Sequence, residues 1–170
     1  LSVIEFGAGD GSLIAGIIQY FLKKNSINLE SFSFIIIEPN EGMIVKQKKN
    51  LSKFLNLGIN IIWKCLEELD KNSINGVVIA NEVLDALPVE RLTFSKGKLY
   101  RQVVAVNEES GRLFFDKTSI TEKLEKSIFL AKKELGICIP PENAPEGWTT
   151  EWHVDNSLWL KLIYEKINNG

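Results

Sequence analysis

Leu1-Ser2-Val3-Ile4-Glu5-Phe6-Gly7-Ala8-Gly9-Asp10-Gly11-Ser12-Leu13-Ile14 is the stretch from which the fold is read. Val3-Ile4 has the character of the end of a buried strand. Leu13, Ile14, Ile17, Ile18, Phe21 and Leu22 then fall on one face of a helix. Gly7, Gly9 and Gly11 join the two. Glycine suits such a turn because a side chain would keep the backbone from touching a ligand, while the helix start offers unpaired N–H groups. Strand, glycine turn and helix in this order predict a cofactor-binding unit. A tight strand-to-helix turn without a ligand is the structural alternative.

Spacing and charge narrow the choice of cofactor. A dinucleotide fingerprint reads G-x-G-x-x-G, and here Ser12 stands where its third glycine would be. Glu5 and Asp10 flank the turn, where negative charge would repel a pyrophosphate but attract an ammonium or a sulfonium. S-adenosylmethionine carries both cations. The next apolar run, Phe34-Ile35-Ile36-Ile37, ends in Glu38, placed to accept hydrogen bonds from the two hydroxyls of an adenosine ribose. The residues therefore favour S-adenosylmethionine over a nicotinamide dinucleotide. Glu38 as an ordinary strand-end residue is the plainer alternative.

Working outward, Ile44, Gln47, Leu51, Phe54 and Leu55 predict a helix ended by Gly58, and Ile59 to Trp63 a third strand. Ser73-Ile74-Asn75-Gly76 reads as a turn before Val77-Val78-Ile79-Ala80, a run typical of parallel strands covered on both faces. The predicted fold class is α/β: a Rossmann-like, doubly wound, mostly parallel sheet. From Arg91 the period becomes alternating, with turns at 96–98 and 107–111, so residues 91–116 predict an antiparallel β-meander inserted beside the active site. A helix is expected over Thr121 to Leu135, a proline-rich loop over 139–147, and a last helix from about Asp155 through Ile167.

Composition bounds the rest. The chain has 170 residues, 45% hydrophobic and 25% charged, which fits one globular domain over 1–170. A net charge of −2 gives no basic surface for nucleic acid, and Lys46, Lys48 and Lys49 fall on an expected solvated helix face. Cys65 and Cys138 lack CxxC or histidine partners, so neither a disulfide framework nor a metal site is expected. No apolar run approaches the roughly 20 residues that span a bilayer. The expectation is a soluble, cytoplasmic protein, or a mitochondrial matrix protein if eukaryotic. Opening on Leu1 and closing on Asn168-Asn169-Gly170, the sequence reads as a fragment of a longer protein, and oligomeric state stays open.

A second polar cluster, Asn81-Glu82-Val83-Leu84-Asp85, follows the fourth strand directly. Ligands of open parallel sheets bind beyond the carboxyl ends of the strands, so these side chains should face the same crevice as the glycines. A helix N-cap at Asn81 or Asp85 is the alternative.

The combination of Glu5-Phe6-Gly7-Ala8-Gly9-Asp10-Gly11, Asn81-Glu82-Val83-Leu84-Asp85-Ala86-Leu87-Pro88-Val89 and Thr150-Glu151-Trp152 resembles the MidA-type class I methyltransferases. That family includes the mitochondrial complex I assembly arginine methyltransferase. The resemblance spans essentially the whole chain. It implies S-adenosylmethionine as donor and, for the mitochondrial relative, a protein arginine as acceptor.

A guanidinium is planar, permanently charged and a poor nucleophile, so its methylation calls for carboxylates that hold the fork and localise charge. Glu82, Asp85 and Glu151 are the candidates, with Glu151 expected in a loop leading to the last helix, where capping or salt-bridging that loop is the alternative. Gly7, Gly9 and Gly11 would admit the methionine part, Glu5 its ammonium and Glu38 the ribose. Asn81 would contact the cofactor beside them, with the adenine near Cys65-Leu66-Glu67. Cys65 is read as a wall residue, His153 as an ordinary loop histidine, and Trp148 and Trp152 as either protein-binding or core residues. A protein substrate is the expected partner. Two competing functions are a non-catalytic assembly scaffold on the same fold and an NAD-binding oxidoreductase.

Overall fold

The structure, a computed structural model, describes residues 1–24 and 28–170. It divides into two compact units, one of residues 1–86 with 158–170 and one of residues 87–157.

The first unit is a five-stranded parallel sheet in the order β3-β2-β1-β4-β9. Its strands are β1 (Ser2–Phe6), β2 (Ser33–Ile37), β3 (Ile61–Lys64), β4 (Ile74–Ala80) and β9 (Ile167–Asn169). Helix α1 (Ser12–Lys23) buries Ile14 and Ile18 on one sheet face, against Val3, Phe34, Ile36, Leu51, Phe54 and Ile61. Leu13 and Leu22, expected on that face, lie at its margin and are exposed. The helix expected through 44–55 is two: α2 (Glu41–Asn50) and α3 (Ser52–Asn56), broken at Leu51. Leu51 itself is fully buried, so packing of its side chain sets the break.

The opposite sheet face carries Ile4, Phe6, Ile37, Leu69 and Ile74 beneath α5 (Asn156–Tyr164). There Trp159 meets Phe6 edge-on, ring centroids 5.3 Å apart at 74°. The sheet is thus doubly wound.

Three further expectations for this unit change. The last helix stops at Tyr164, and Ile167 lies in β9, paired in parallel with Ile74. The turn expected at 73–76 lies mostly inside β4, where Gly76 runs so close to β1 that an added Cβ would sit 1.9 Å from the Ser2 carbonyl oxygen. Val77, expected beneath a cover on both faces, is 59% exposed.

The second unit is a four-stranded antiparallel sheet in the order β7-β6-β5-β8. The meander is present as β5 (Glu90–Ser95), β6 (Lys98–Val106) and β7 (Leu113–Ser119). It extends past residue 116 and gains β8 (Thr149–Trp152), which pairs with β5. Helix α4 (Glu122–Leu135) begins at Thr121, whose hydroxyl accepts the Leu124 N–H, and ends at Gly136 in the left-handed region. Leu92 and Leu124 are buried, and Arg101 grips Glu90 with two hydrogen bonds of 2.8 and 3.1 Å. Edge strand β7 leaves Leu113, Phe114 and Phe115 exposed.

Candidate functional site

The parallel register gathers most of the candidate residues of the first unit on one edge. Phe6 pairs with Ile37 on one side and with Ala80 on the other, and Ile37 pairs with Lys64. The next residues of the four strands are therefore level: Cys65, Glu38, Gly7 and Asn81, in spatial order. The Gly7 N–H donates to the Ile37 carbonyl at 3.2 Å and the Glu38 N–H to the Lys64 carbonyl at 3.3 Å, carrying the ladder one residue further. Three strand spacings of about 4.8 Å make this edge about 14 Å long. It lies at the carboxyl ends of β1 and β4, where the strand order reverses, the position at which open α/β sheets take ligands.

The turn itself is built for approach. Gly7, Gly9 and Gly11 have φ of +59°, +54° and +87°, a region closed to most side chains. A Cβ on Gly7 would press on Val83 and one on Gly11 on Leu51, whereas one on Gly9 would meet nothing within 4 Å. Gly9 alone of the three faces open space. The Asp10 carboxylate accepts both the Ser12 N–H, at 3.1 Å, and the Ser12 hydroxyl, and these bonds hold its pKa below the usual carboxylate range. It caps the turn locally. Amide donors from α2 take the turn's outward carbonyls: Gln47 Nε2 that of Gly9 at 2.9 Å, Asn50 Nδ2 that of Asp10 at 3.0 Å.

Two carboxylates lie on the α1 face of the sheet. Glu5, between Ile36 and Ile79 in register, is only 5% exposed, and its Oε2 has no hydrogen-bond partner among the described residues. Burial pushes its pKa up, partly offset by the Ile14 backbone N–H in the first turn of α1. Glu38 is also buried, but each of its oxygens holds a donor: the Asn40 N–H on Oε1 at 3.0 Å and Gln47 Nε2 on Oε2 at 3.1 Å. A carboxylate accepts about four hydrogen bonds, so each oxygen keeps a lone pair for a hydroxyl. A buried carboxylate with one oxygen unpartnered among the described residues, an open glycine and a second carboxylate with a free lone pair on each oxygen fit the ammonium, chain and ribose of S-adenosylmethionine.

Asn81, Glu82 and Asp85 are exposed on the bend that follows β4, and no helix follows for them to cap. Glu82 has φ of +51°, which a β-carbon makes costly. Val83 returns from this bend onto Gly7. Leu66 opens a short 3-10 turn, Leu66–Glu68, and packs partly buried against the Ile37 and Leu69 cluster, while Cys65 beside it is exposed.

Glu151 is on β8 of the second unit and not in a loop; the short run Thr149-Thr150-Glu151-Trp152 finds its strand only by pairing with β5. Arg91 is its register partner, and the Arg91 guanidinium lies 5.2 Å from the Phe115 ring centroid. Trp152 and Trp148 are half-buried, and Trp152 Nε1 donates to Ser127 Oγ at 3.0 Å. His153 lines a groove of about 390 Å³ with Trp152, Lys126 and Glu134, and its Nδ1 has no partner among the described residues. No cluster of metal-ligating side chains and no helix long and apolar enough to cross a membrane occurs among the described residues.

Gln47 was legible in sequence only as a helix-face residue. A polar residue at a buried position looks like a surface one until its partners are known.

Solved structures share this fold. The chain matches an uncharacterized superfamily protein from Burkholderia thailandensis at 25% identity and a TM-score of 0.74, over 98% of this chain and 40% of that one. It also matches a member of the same superfamily from that organism, bound to S-adenosyl-homocysteine, at 23% identity and a TM-score of 0.70, over 98% and 39%. The chain thus spans about two-fifths of the length of these structures. No curated protein matches it. Over residues 1–170 the chain matches the family described as "Putative S-adenosyl-L-methionine-dependent methyltransferase", and it belongs to that family.

Proposed function

We propose that this chain carries the donor site of a MidA-type methyltransferase acting on a protein side chain, with arginine as the acceptor, in support of the assembly of a respiratory-type complex. The observation that carries the cofactor half is the level row of Glu38, Gly7 and Asn81, with the buried Glu5 Oε2, unpartnered among the described residues, two residues before Gly7 on β1. The solved neighbour that holds S-adenosyl-homocysteine supports the same reading. When bound, S-adenosylmethionine supplies an electrophilic methyl group on a sulfonium centre.

In this reading Glu5 takes the ammonium, Gly9 leaves room for the methionine chain, Glu38 takes both ribose hydroxyls, and Leu66 walls the adenine. Gly7 and Gly11 keep the turn in its left-handed path, and Asn81 lines the row beyond Gly7. Glu82 and Asp85 of the first unit are assigned to the acceptor, where paired carboxylates would hold a guanidinium fork and draw its charge from the attacking nitrogen, and Glu151 of the second unit is by itself a further candidate for acceptor binding. Rate enhancement then comes from fixing two reactants in line and excluding water, with no covalent intermediate on the chain.

Calorimetric titration of the full chain with S-adenosylhomocysteine and with NAD tests the donor site. Binding of the first alone is expected, weakened roughly tenfold or more in Glu38→Ala by loss of hydrogen bonds to a charged group. Preference for NAD, or no binding, sinks the reading. Transfer of a labelled methyl group to peptides containing arginine, against the same peptides with lysine in its place, tests the acceptor.

A further inference from the structure

Helix α2 buries one side chain, and it is the amide of Gln47, fully inaccessible to solvent. Its two N–H bonds are both used, one on the Gly9 carbonyl at 2.9 Å and one on Glu38 Oε2 at 3.1 Å. Its oxygen accepts Trp63 Nε1 at 2.9 Å. An indole N–H donates and cannot accept, so Trp63 fixes which end of the amide faces which way. With the oxygen turned to Trp63, the donor end must face Glu38 and the glycine turn. The reversed amide would set an oxygen against a carboxylate.

We infer that Gln47, oriented by Trp63, is the positioning residue for ribose recognition by Glu38. This inference rests on the donor-site reading above. Glu38 stands one residue past β2, so the strand ladder fixes its backbone while its side chain is held by the Asn40 N–H and Gln47 alone among the described residues. Asn40 binds Oε1 and Gln47 binds Oε2, which locks the carboxylate plane and leaves one free lone pair on each oxygen, the pattern a vicinal diol needs. The same amide ties Gly9 to this carboxylate, so the glycine turn and the ribose acceptor keep a constant separation. Trp63 and Gln47 touch no ligand in this arrangement and act through Glu38.

The test compares the affinity of the full chain for S-adenosylhomocysteine with its affinity for the 2′-deoxy counterpart, by calorimetry. Both constants come from one preparation, so a partly unfolded sample leaves their ratio unchanged. The unsubstituted chain should prefer the ribose form by roughly ten- to a hundredfold, the worth of a hydrogen bond to a charged group. Gln47→Met, similar in length but without donors, should bring that preference to within about threefold, and Trp63→Phe should lower it by an intermediate amount. Should Gln47→Met fail to fold, Trp63→Phe carries the test alone. An unchanged preference in the variants overturns the role of Gln47 and leaves the donor site standing. Failure of the unsubstituted chain to bind S-adenosylhomocysteine overturns both.

Discussion

Gly11 packs so closely on Leu51 that a β-carbon at position 11 would come within 3.3 Å of the leucine Cδ1, while one at Gly9 would touch nothing. The two glycines of one turn therefore make opposite predictions. Gly11→Ala adds crowding to left-handed backbone strain and should cost about 2 kcal/mol or more. Gly9→Ala bears only the strain, about 1 kcal/mol, but fills the space that the proposed donor site gives to the methionine chain. Thermal melts should show the larger loss for position 11 and calorimetry should show abolished S-adenosylhomocysteine binding at position 9. A Gly9→Ala protein that binds normally would remove that glycine from the donor site.

Glu5 supplies a pH signature. Its carboxyl is raised by burial, so the folded chain holds this proton more tightly than the unfolded chain does. Its contribution to stability is greatest below the ordinary glutamate pKa and declines as pH rises through the interval up to the raised value. An ammonium against the unpartnered Oε2 reverses that preference, so ligand binding should expel a proton and tighten with rising pH over the same interval. Titrations in buffers of different ionisation enthalpy read the proton directly. Glu5→Gln should flatten the pH dependence of both stability and affinity, and a dependence that persists in it belongs to another group.

Glu82 sits in a left-handed conformation with nothing in its side chain to favour it. Replacement by glycine relieves that strain while adding freedom to the unfolded chain, so Glu82→Gly should match or exceed the native stability by about 1 kcal/mol or less. If the carboxylate holds the acceptor, methyl transfer should fall by roughly a hundredfold or more while S-adenosylhomocysteine affinity stays within about threefold. Loss of affinity in place of turnover would move Glu82 from the acceptor to the donor.

In the second unit the Trp152 indole N–H bridges β8 to Ser127 on α4 at 3.0 Å. Trp152→Phe keeps the apolar ring and deletes that bond, at a cost of about 1 kcal/mol, or roughly 2–4 °C in Tm for a chain of this size. Ser127→Ala should cost a similar amount, and the double variant little more than either alone. Additive losses would mean that the two side chains act separately.

Sequence and structure agree most fully from Ser2 to Lys23, because there the local signals coincide: an apolar strand, three glycines at positive φ and a helical stripe anchored by Ile14 and Ile18. The expectation of S-adenosylmethionine as cofactor rests on that same stretch together with Glu38, and the chain belongs to a family described by that cofactor. What escaped reading depends on partners distant in the chain. Ile167-Asn168-Asn169 has one apolar residue and the look of a helix end, and only pairing with β4 makes it a strand. Glu151 looks like a loop residue until β5 accepts β8. Asp10 reads as a charge for the ligand, and its cap on its own turn through Ser12 is a local bond that the sequence does not announce. Periodicity reports a side chain's face but not its hydrogen-bond partner, so Gln47 could be placed on a helix face and not recognised as the tie among Gly9, Glu38 and Trp63.

The two units differ in how they lie along the chain: residues 87–157 are continuous, while the parallel sheet draws on 1–86 and on 158–170. During synthesis from the amino end, the meander, α4 and β8 have all their hydrogen-bonding partners in hand before Ile167 leaves the ribosome. Until then β4 has β1 on one side and a bare row of amides and carbonyls on the other. A released chain truncated after residue 157 should therefore protect the antiparallel amides from hydrogen exchange and leave the outer edge of β4 labile. The strand that carries the site's fourth edge residue is the one that waits longest for its neighbour.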